Sequence, residues 1–132
     1  IFLRAKKIGK VGIILGWQNL SGIEDQLGYL QLFKELGVGV MQMTYNTRNL
    51  VGSGCYESVD SGLSDFGREV VAEMNRVGIL CDISHVGAKT SEDVIKASRK
   101  PVAASLAASE GSFGLRPCAC SHSSGMPSRS VS

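Results

Sequence analysis

No run of apolar residues in this 132-residue sequence approaches the roughly 20 that a membrane-spanning helix requires. The opening segment, Ile1 to Lys10, also lacks the apolar core of a secretory signal, so location is uninformed and cytoplasm is the default expectation. A disulfide framework is missing as well: Cys55, Cys81, Cys118 and Cys120 show no such pattern in a chain of this type, and Cys81 reads as a buried strand residue. The basic cluster Arg4, Lys6, Lys7 and Lys10 is short and carries no interleaved aromatics, which reads as a solvated terminus and argues against nucleic acid as a partner. An initiator methionine is absent too; the sequence opens on Ile1, as an internal piece of a longer protein or an incomplete gene product would.

What is present is the composition of an ordinary α/β protein: 43% hydrophobic, 20% charged and net charge +2, with 16 glycines to serve many tight turns between strands and helices. The most informative stretch is DFGREVVAEMNRVGILCDISHV, Asp65 to Val86. Phe66, Val70, Met74 and Val77 form one apolar stripe, with Arg68, Glu69, Glu73 and Arg76 largely off it, the pattern of an amphipathic helix. Ser64 or Asp65 can cap its start and Gly78 supplies its stop. Ile79 to Ser84 then reads as a short parallel strand buried on both faces.

Two polar residues interrupt that strand. Asp82 lies within it and His85 at its carboxyl end, the side on which βα-barrels and open α/β sheets build their active sites. Spacing alone favours an ordinary hydrogen-bonded histidine, because no second metal ligand is adjacent. Asp82 can orient a site or simply face a neighbouring strand.

The rest of the chain alternates strand and helix: a strand at Val11 to Trp17, a helix at Gly22 to Leu36, a strand at Val38 to Thr44, a long loop from Asn46 to Gly62, a helix at about Ser91 to Ser98, and a strand at Pro101 to Ser105. Ser21 and Glu24 have the spacing of a capping box for the first helix, whose apolar face continues through Ile23, Leu27, Leu30 and Phe33 to a stop at Gly37. Successive βα units of this kind predict a parallel sheet. The loop is longer than ordinary βα connections and can shape a pocket. Its Cys55 is a poor nucleophile, having no histidine nearby in sequence to activate it.

TYNTRNLVGSGCYES (Thr44 to Ser58), GLSDFGREVVAEMNRVGILCDISHVG (Gly62 to Gly87) and KTSEDVIKASRKPVA (Lys89 to Ala103) together resemble the renal or membrane dipeptidase family of zinc metallopeptidases. The resemblance covers roughly Val11 to Ser105, and the aspartate-x-serine-histidine strand end is among its more specific marks. It implies a partial (β/α)8 TIM barrel, since a complete one needs about 250 residues. It also implies hydrolysis of a dipeptide substrate by two divalent ions, usually zinc, which polarise the scissile carbonyl and activate a water. In that scheme His85 is a metal ligand, and the long loop serves substrate binding.

The sequence departs from the family pattern at several places. No early histidine-x-aspartate motif, which supplies two metal ligands in the family, is present. Gln18 stands where a glutamate normally bridges the metals, and a neutral amide is a weak zinc ligand; a subgroup with a differently arranged site and a loss of catalysis both account for it, and the coherent GWQNLSGIED context favours the first. Tyr45 stands where many members place a histidine against substrate or transition-state oxygen. Its hydroxyl can still donate a hydrogen bond, or the ring can pack at the barrel rim.

After Lys100-Pro101-Val102-Ala103 the family continues into a serine-histidine pair, whereas here Ser105 is followed by Leu106. From there LAASEGSFGLRPCACSHSSGMPSRSVS is rich in Ser, Gly, Ala and Pro, with Glu110, Arg116 and Arg129 its charged side chains, the composition of a low-complexity tail. The expected organisation is therefore a partial barrel over residues 1–105 and a disordered or frameshifted tail over 106–132. Ser121-His122 resembles the absent pair displaced downstream, and Cys118, Cys120 and His122 alternate as soft ligands, although a structural zinc site normally closes with four.

With one good ligand and one weak one in hand, the isolated chain is expected to be inactive even if its parent is a dipeptidase. A non-catalytic barrel fragment or pseudoenzyme explains Gln18, Leu106 and the tail together. A barrel of another metallohydrolase group, such as an amidohydrolase, also carries histidines at strand ends but leaves the DFGREVVAEMN helix unexplained.

Overall fold

The computed structural model describes residues 2–105. The elements run α1 (Phe2–Lys7), β1 (Leu15–Trp17), a 3-10 turn (Leu20–Ile23), α2 (Gly28–Glu35), β2 (Val38–Gln42), α3 (Asp65–Val77), β3 (Leu80–Asp82), α4 (Ala88–Ala97) and β4 (Val102–Ala103). The strands form one sheet in the order β1-β2-β3-β4, every neighbouring pair parallel, as the repeated helix-glycine-strand passages predict. Each strand lies beside the one that precedes it in sequence, and α3 packs between α2 and α4. Right-handed crossovers in an unreversed strand order lay all the connecting helices on one face of the sheet.

Register explains how the core forms. Trp17, Met41, Cys81 and Val102 are in line across the four strands. They face the helices: the Trp17 ring centroid is 4.4 Å from that of Phe33 on α2, and Cys81 Sγ is 3.8 Å from Met74 Sδ on α3. Leu30, Met41, Met43, Val70, Val71, Met74 and Val94 are fully buried there. Burial pushes the Cys81 thiol up to about 11. Gln42 and Asp82, the next residues along β2 and β3, are paired in register on the opposite face, where both are buried.

Helix α3 forms as its sequence predicts. The Ser64 hydroxyl accepts from the Gly67 amide at 2.8 Å, which decides the cap in favour of Ser64, and Gly78 takes the left-handed conformation (φ 79°) that stops the helix. The stripe is confirmed in packing, with Val70 and Met74 in the core and Phe66 and Val77 against it.

The segment expected as one helix over Gly22 to Leu36 is instead a 3-10 turn followed by α2. Asn19 caps the turn, its Oδ1 accepting from the Ser21 amide and the Ser21 hydroxyl. With that hydroxyl committed and Glu24 closing the turn at φ 50°, no capping box forms. Ile23, Leu27, Leu30 and Phe33 still reach the core, so the apolar periodicity survives a break in the backbone.

Strand ends are shorter than the sequence suggests. Val11 and Ile13, expected within β1, are 90% and 74% exposed and lie outside it, because β1 is the edge of the described sheet and pairs on one side alone. Helix α4 starts at Ala88, three residues earlier than expected. Its N-cap position, Gly87, has no side chain to offer, and Asp60 of the long loop takes over: its Oδ2 accepts from the Lys89 and Thr90 amides at 2.7 and 3.2 Å, and its Oδ1 from the Thr90 hydroxyl at 2.7 Å and the Gly62 amide at 3.0 Å. Burial opposes ionisation of Asp60, but these four donors outweigh it and hold the carboxyl below its ordinary value. A Cβ at residue 87 would overlap that carboxylate. The tail with Ser121-His122 and the Cys118, Cys120, His122 cluster lies outside the described residues.

Candidate functional site

Parallel strands bring their carboxyl ends to one side of the sheet, and the three residues singled out from the sequence all emerge there. Gln18 directly follows β1, Tyr45 lies three residues beyond β2, and His85 three residues beyond β3. Gln18 is exposed. Tyr45 is 39% exposed, and its ring lies against the half-buried imidazole of His85 with centroids 4.8 Å apart. Tyr45 and His85 are therefore brought together by neighbouring strands, with the Tyr45 ring packed on the imidazole.

His85 is held from several directions. Its backbone is left-handed (φ 58°), a region uncommon for non-glycine residues but one in which histidine is enriched. Its carbonyl accepts from the Cys55 amide at 3.1 Å and from the Thr44 hydroxyl at 3.3 Å. Its Nδ1 lies 2.8 Å from Asn46 Oδ1. An amide oxygen accepts and does not donate, so the ring nitrogen is the donor.

The long loop stitches the strand ends together. At one end Asn49 Nδ2 donates to Asn19 Oδ1 at 2.9 Å and to the Met43 carbonyl at 2.8 Å, joining the segments after β1 and β2. Asn46 reaches His85, and Gly54 pairs with Val86, joining the loop to the end of β3. Asp60 then fixes the far end of the loop to α4. A depression of about 520 Å³ beside the loop is lined by Ser21, Glu24, Arg48, Asn49 and Leu50.

The hydrogen bonds of the Asp82 carboxylate go to Ser84 and Ser105, not to His85. The carboxylate accepts from the Ser84 amide (2.9 Å) and hydroxyl (2.7 Å) and from the Ser105 amide (3.2 Å) and hydroxyl (2.5 Å), fastening the end of β3 to the segment after β4. Burial works against its charge, yet the Ser105 and Ser84 donors prevail and its carboxyl stays below the ordinary range. Of its two sequence readings, the structure bears out the link to a neighbouring strand.

Among the described residues, no three His, Cys, Asp or Glu side chains come together to hold a metal ion. The donor set fits a metal as a single contribution: an imidazole with one nitrogen hydrogen-bonded to an acceptor and the other left for coordination. It does not make a closed centre.

The membrane dipeptidase family model, peptidase family M19, matches residues 2–112. The chain belongs to this family. An uncharacterised dipeptidase of Schizosaccharomyces pombe is 34% identical over 98 residues, 71% of this chain and 24% of that protein. Among solved structures, an amidohydrolase from Pseudomonas aeruginosa is 66% identical with a TM-score of 0.71, covering 76% of this chain and 30% of that one. A metallopeptidase from Rhodobacter sphaeroides, solved with a phosphinate mimic of the dipeptide L-Ala-D-Ala, is 29% identical with a TM-score of 0.69 over the same 76% of this chain and 30% of its own. This member of the M19 family thus spans about a quarter to a third of the length of these relatives, and its four parallel strands alternating with helices match part of their structures.

The sequence marks His85 and Tyr45 by their place at strand ends, but does not mark Asn46 as a partner of His85 or Asp60 as a remote cap. The signal for Asn46 was weak: an asparagine just past a strand, suited to a left-handed backbone (φ 61°), whose partner is 39 residues away.

Proposed function

We propose that this chain forms successive βα units of a (β/α)8 barrel whose activity is metal-dependent hydrolysis of dipeptides, and that His85 is its ligand to one of two zinc ions. The observation that carries this reading is the placement of His85: it lies at the carboxyl end of a parallel strand, its Nδ1 is committed to Asn46, and the surrounding fold matches metallopeptidases of the M19 family. The unreversed strand order, with helices side by side, is what an arc of such a barrel requires. A bound divalent ion would supply Lewis acidity and a water of lowered pKa. The residues in hand position that chemistry. His85 would offer Nε2, and Tyr45, whose ring packs against the imidazole, would supply a hydroxyl donor to substrate. Gln18 contributes at most a weak neutral donor.

By itself the chain is inactive, because a catalytic zinc normally takes three protein ligands and His85 is the one strong donor identified. Release of free amino acids from L-Ala-D-Ala or L-Ala-L-Ala, followed with zinc present, should stay at background for the purified chain. Zinc-dependent turnover that disappears in His85→Ala would refute that.

A second reading, a non-catalytic barrel fragment or pseudoenzyme, accounts for Gln18 and for Leu106 after Ser105. The two differ in whether His85 binds metal at all.

A further inference from the structure

We infer that Asn46 is the positioning residue that sets the tautomer of His85 and thereby presents Nε2 as the coordinating atom; this rests on the reading of His85 as a metal ligand. A neutral imidazole carries one proton, and in water histidine places it preferentially on Nε2, the tautomer that would block coordination through that atom. The nitrogen that holds the proton in a protein is decided by the hydrogen bond made by the other. Here Asn46 Oδ1 stands 2.8 Å from Nδ1, which draws the proton to Nδ1 and leaves the lone pair on Nε2.

The Cys55 thiol also approaches Asn46 Oδ1, at 3.7 Å. The amide is in turn fixed by its own backbone. Asn46 adopts φ 61°, a region Asn enters more readily than most residues. Its carbonyl accepts from the Tyr56 amide at 2.8 Å. Gly54 packs so closely on its peptide that a Cβ there would overlap it. The His85 carbonyl is pinned by the Cys55 amide and the Thr44 hydroxyl, so ring and acceptor are each held from outside their mutual bond.

The test uses the full 132-residue chain and the ¹⁵N-detected proton positions of its two histidines, with His85 assigned by its loss in His85→Gln. The native chain should show His85 protonated on Nδ1. Asn46→Gly keeps the left-handed backbone but removes the acceptor, and should move the proton to Nε2. Asn46→Asp restores an acceptor and should restore the native tautomer. Circular dichroism establishes that each variant is folded. Adding Zn²⁺ is a separate arm. Perturbation of His85 in the native chain, weakened about 10- to 100-fold in Asn46→Gly, is expected if the positioning serves a metal. An Nε2-protonated His85 in the native chain, or an Nδ1 proton that persists in folded Asn46→Gly, overturns the role of Asn46. Zinc that leaves His85 unperturbed while the tautomer responds as expected overturns instead the ligand reading on which the inference rests.

Discussion

Replacing Asp60 by alanine should cost the chain about 2–4 kcal/mol of stability, although Asp60 lies in a loop and is only partly buried. Three separate losses lead to that figure. The Lys89 and Thr90 amides are the second and third of α4, the positions an N-cap side chain serves, and losing such a cap costs about 0.5–2 kcal/mol. A carboxylate at a helix N-terminus contributes about 0.3–1 kcal/mol through the helix dipole. The Thr90 hydroxyl, on a fully buried residue, would be left without its acceptor at about 1–3 kcal/mol. The terms overlap, since one carboxylate serves all of them, so the total falls below their sum. Urea unfolding monitored by circular dichroism reads the change directly. A loss below about 0.5 kcal/mol would show that water replaces the carboxylate and that the cap is not formed in solution. Gly87→Ala sharpens the test: the backbone there, φ −62° and ψ 153°, suits alanine, so destabilisation beyond the roughly 1 kcal/mol by which alanine is a poorer N-cap than glycine comes from overlap with Asp60. That excess should be about 1–3 kcal/mol in the native background and much less once Asp60 is alanine. A double-mutant cycle with no coupling would refute the contact.

Acid should weaken the fold through Asp60 and Asp82 together. Both carboxyls lie below their ordinary value in the folded chain, so the stability they contribute is present at neutral pH and is lost as pH falls below about 4, through the folded values. Asp60→Asn should flatten that loss in urea titrations between about pH 5 and 2; an unchanged profile would count against the hydrogen bonds. Cys81, with its thiol pushed up to about 11 and 1% exposed, should resist alkylation at neutral pH until the chain unfolds, as peptide mass mapping would show. Labelling of Cys81 at the rate of a free thiol would contradict its burial against Met74. Met74→Ala should cost about 2–5 kcal/mol in urea unfolding, because its side chain is fully buried between α3 and the sheet; a cost under about 1 kcal/mol would mean the core there is loosely packed.

The parallel sheet and the α3–β3 passage are legible in the sequence because the stretch from Ser64 to Asp82 states local preferences that tertiary packing reinforces: a hydroxyl cap, an apolar stripe, a glycine stop and a short apolar run. The first helix was misread for a local reason. Ser21 and Glu24 have the spacing of a capping box, but Asn19, two residues earlier, competes for the Ser21 amide and hydroxyl and wins. The early start of α4 was invisible for a long-range reason, since its cap comes from Asp60, 27 residues before Gly87, and no local pattern marks it. The site divides in the same way. His85 and Tyr45 are marked by their position at strand ends, whereas the bond between Asn46 and His85 exists only because adjacent strands bring residues 39 apart in sequence within 2.8 Å.

The role of His85 is tested most directly by calorimetric titration of zinc into the purified chain, into His85→Ala and into His122→Ala. With Cys118 and Cys120 replaced by serine throughout, the chain should take up zinc at one weak site, the heat should vanish in His85→Ala, and it should persist in His122→Ala. Titration curves for that chain and its His85→Ala variant that superimpose would contradict His85 as a metal ligand, and with it the reading of this strand end as part of a dipeptidase centre.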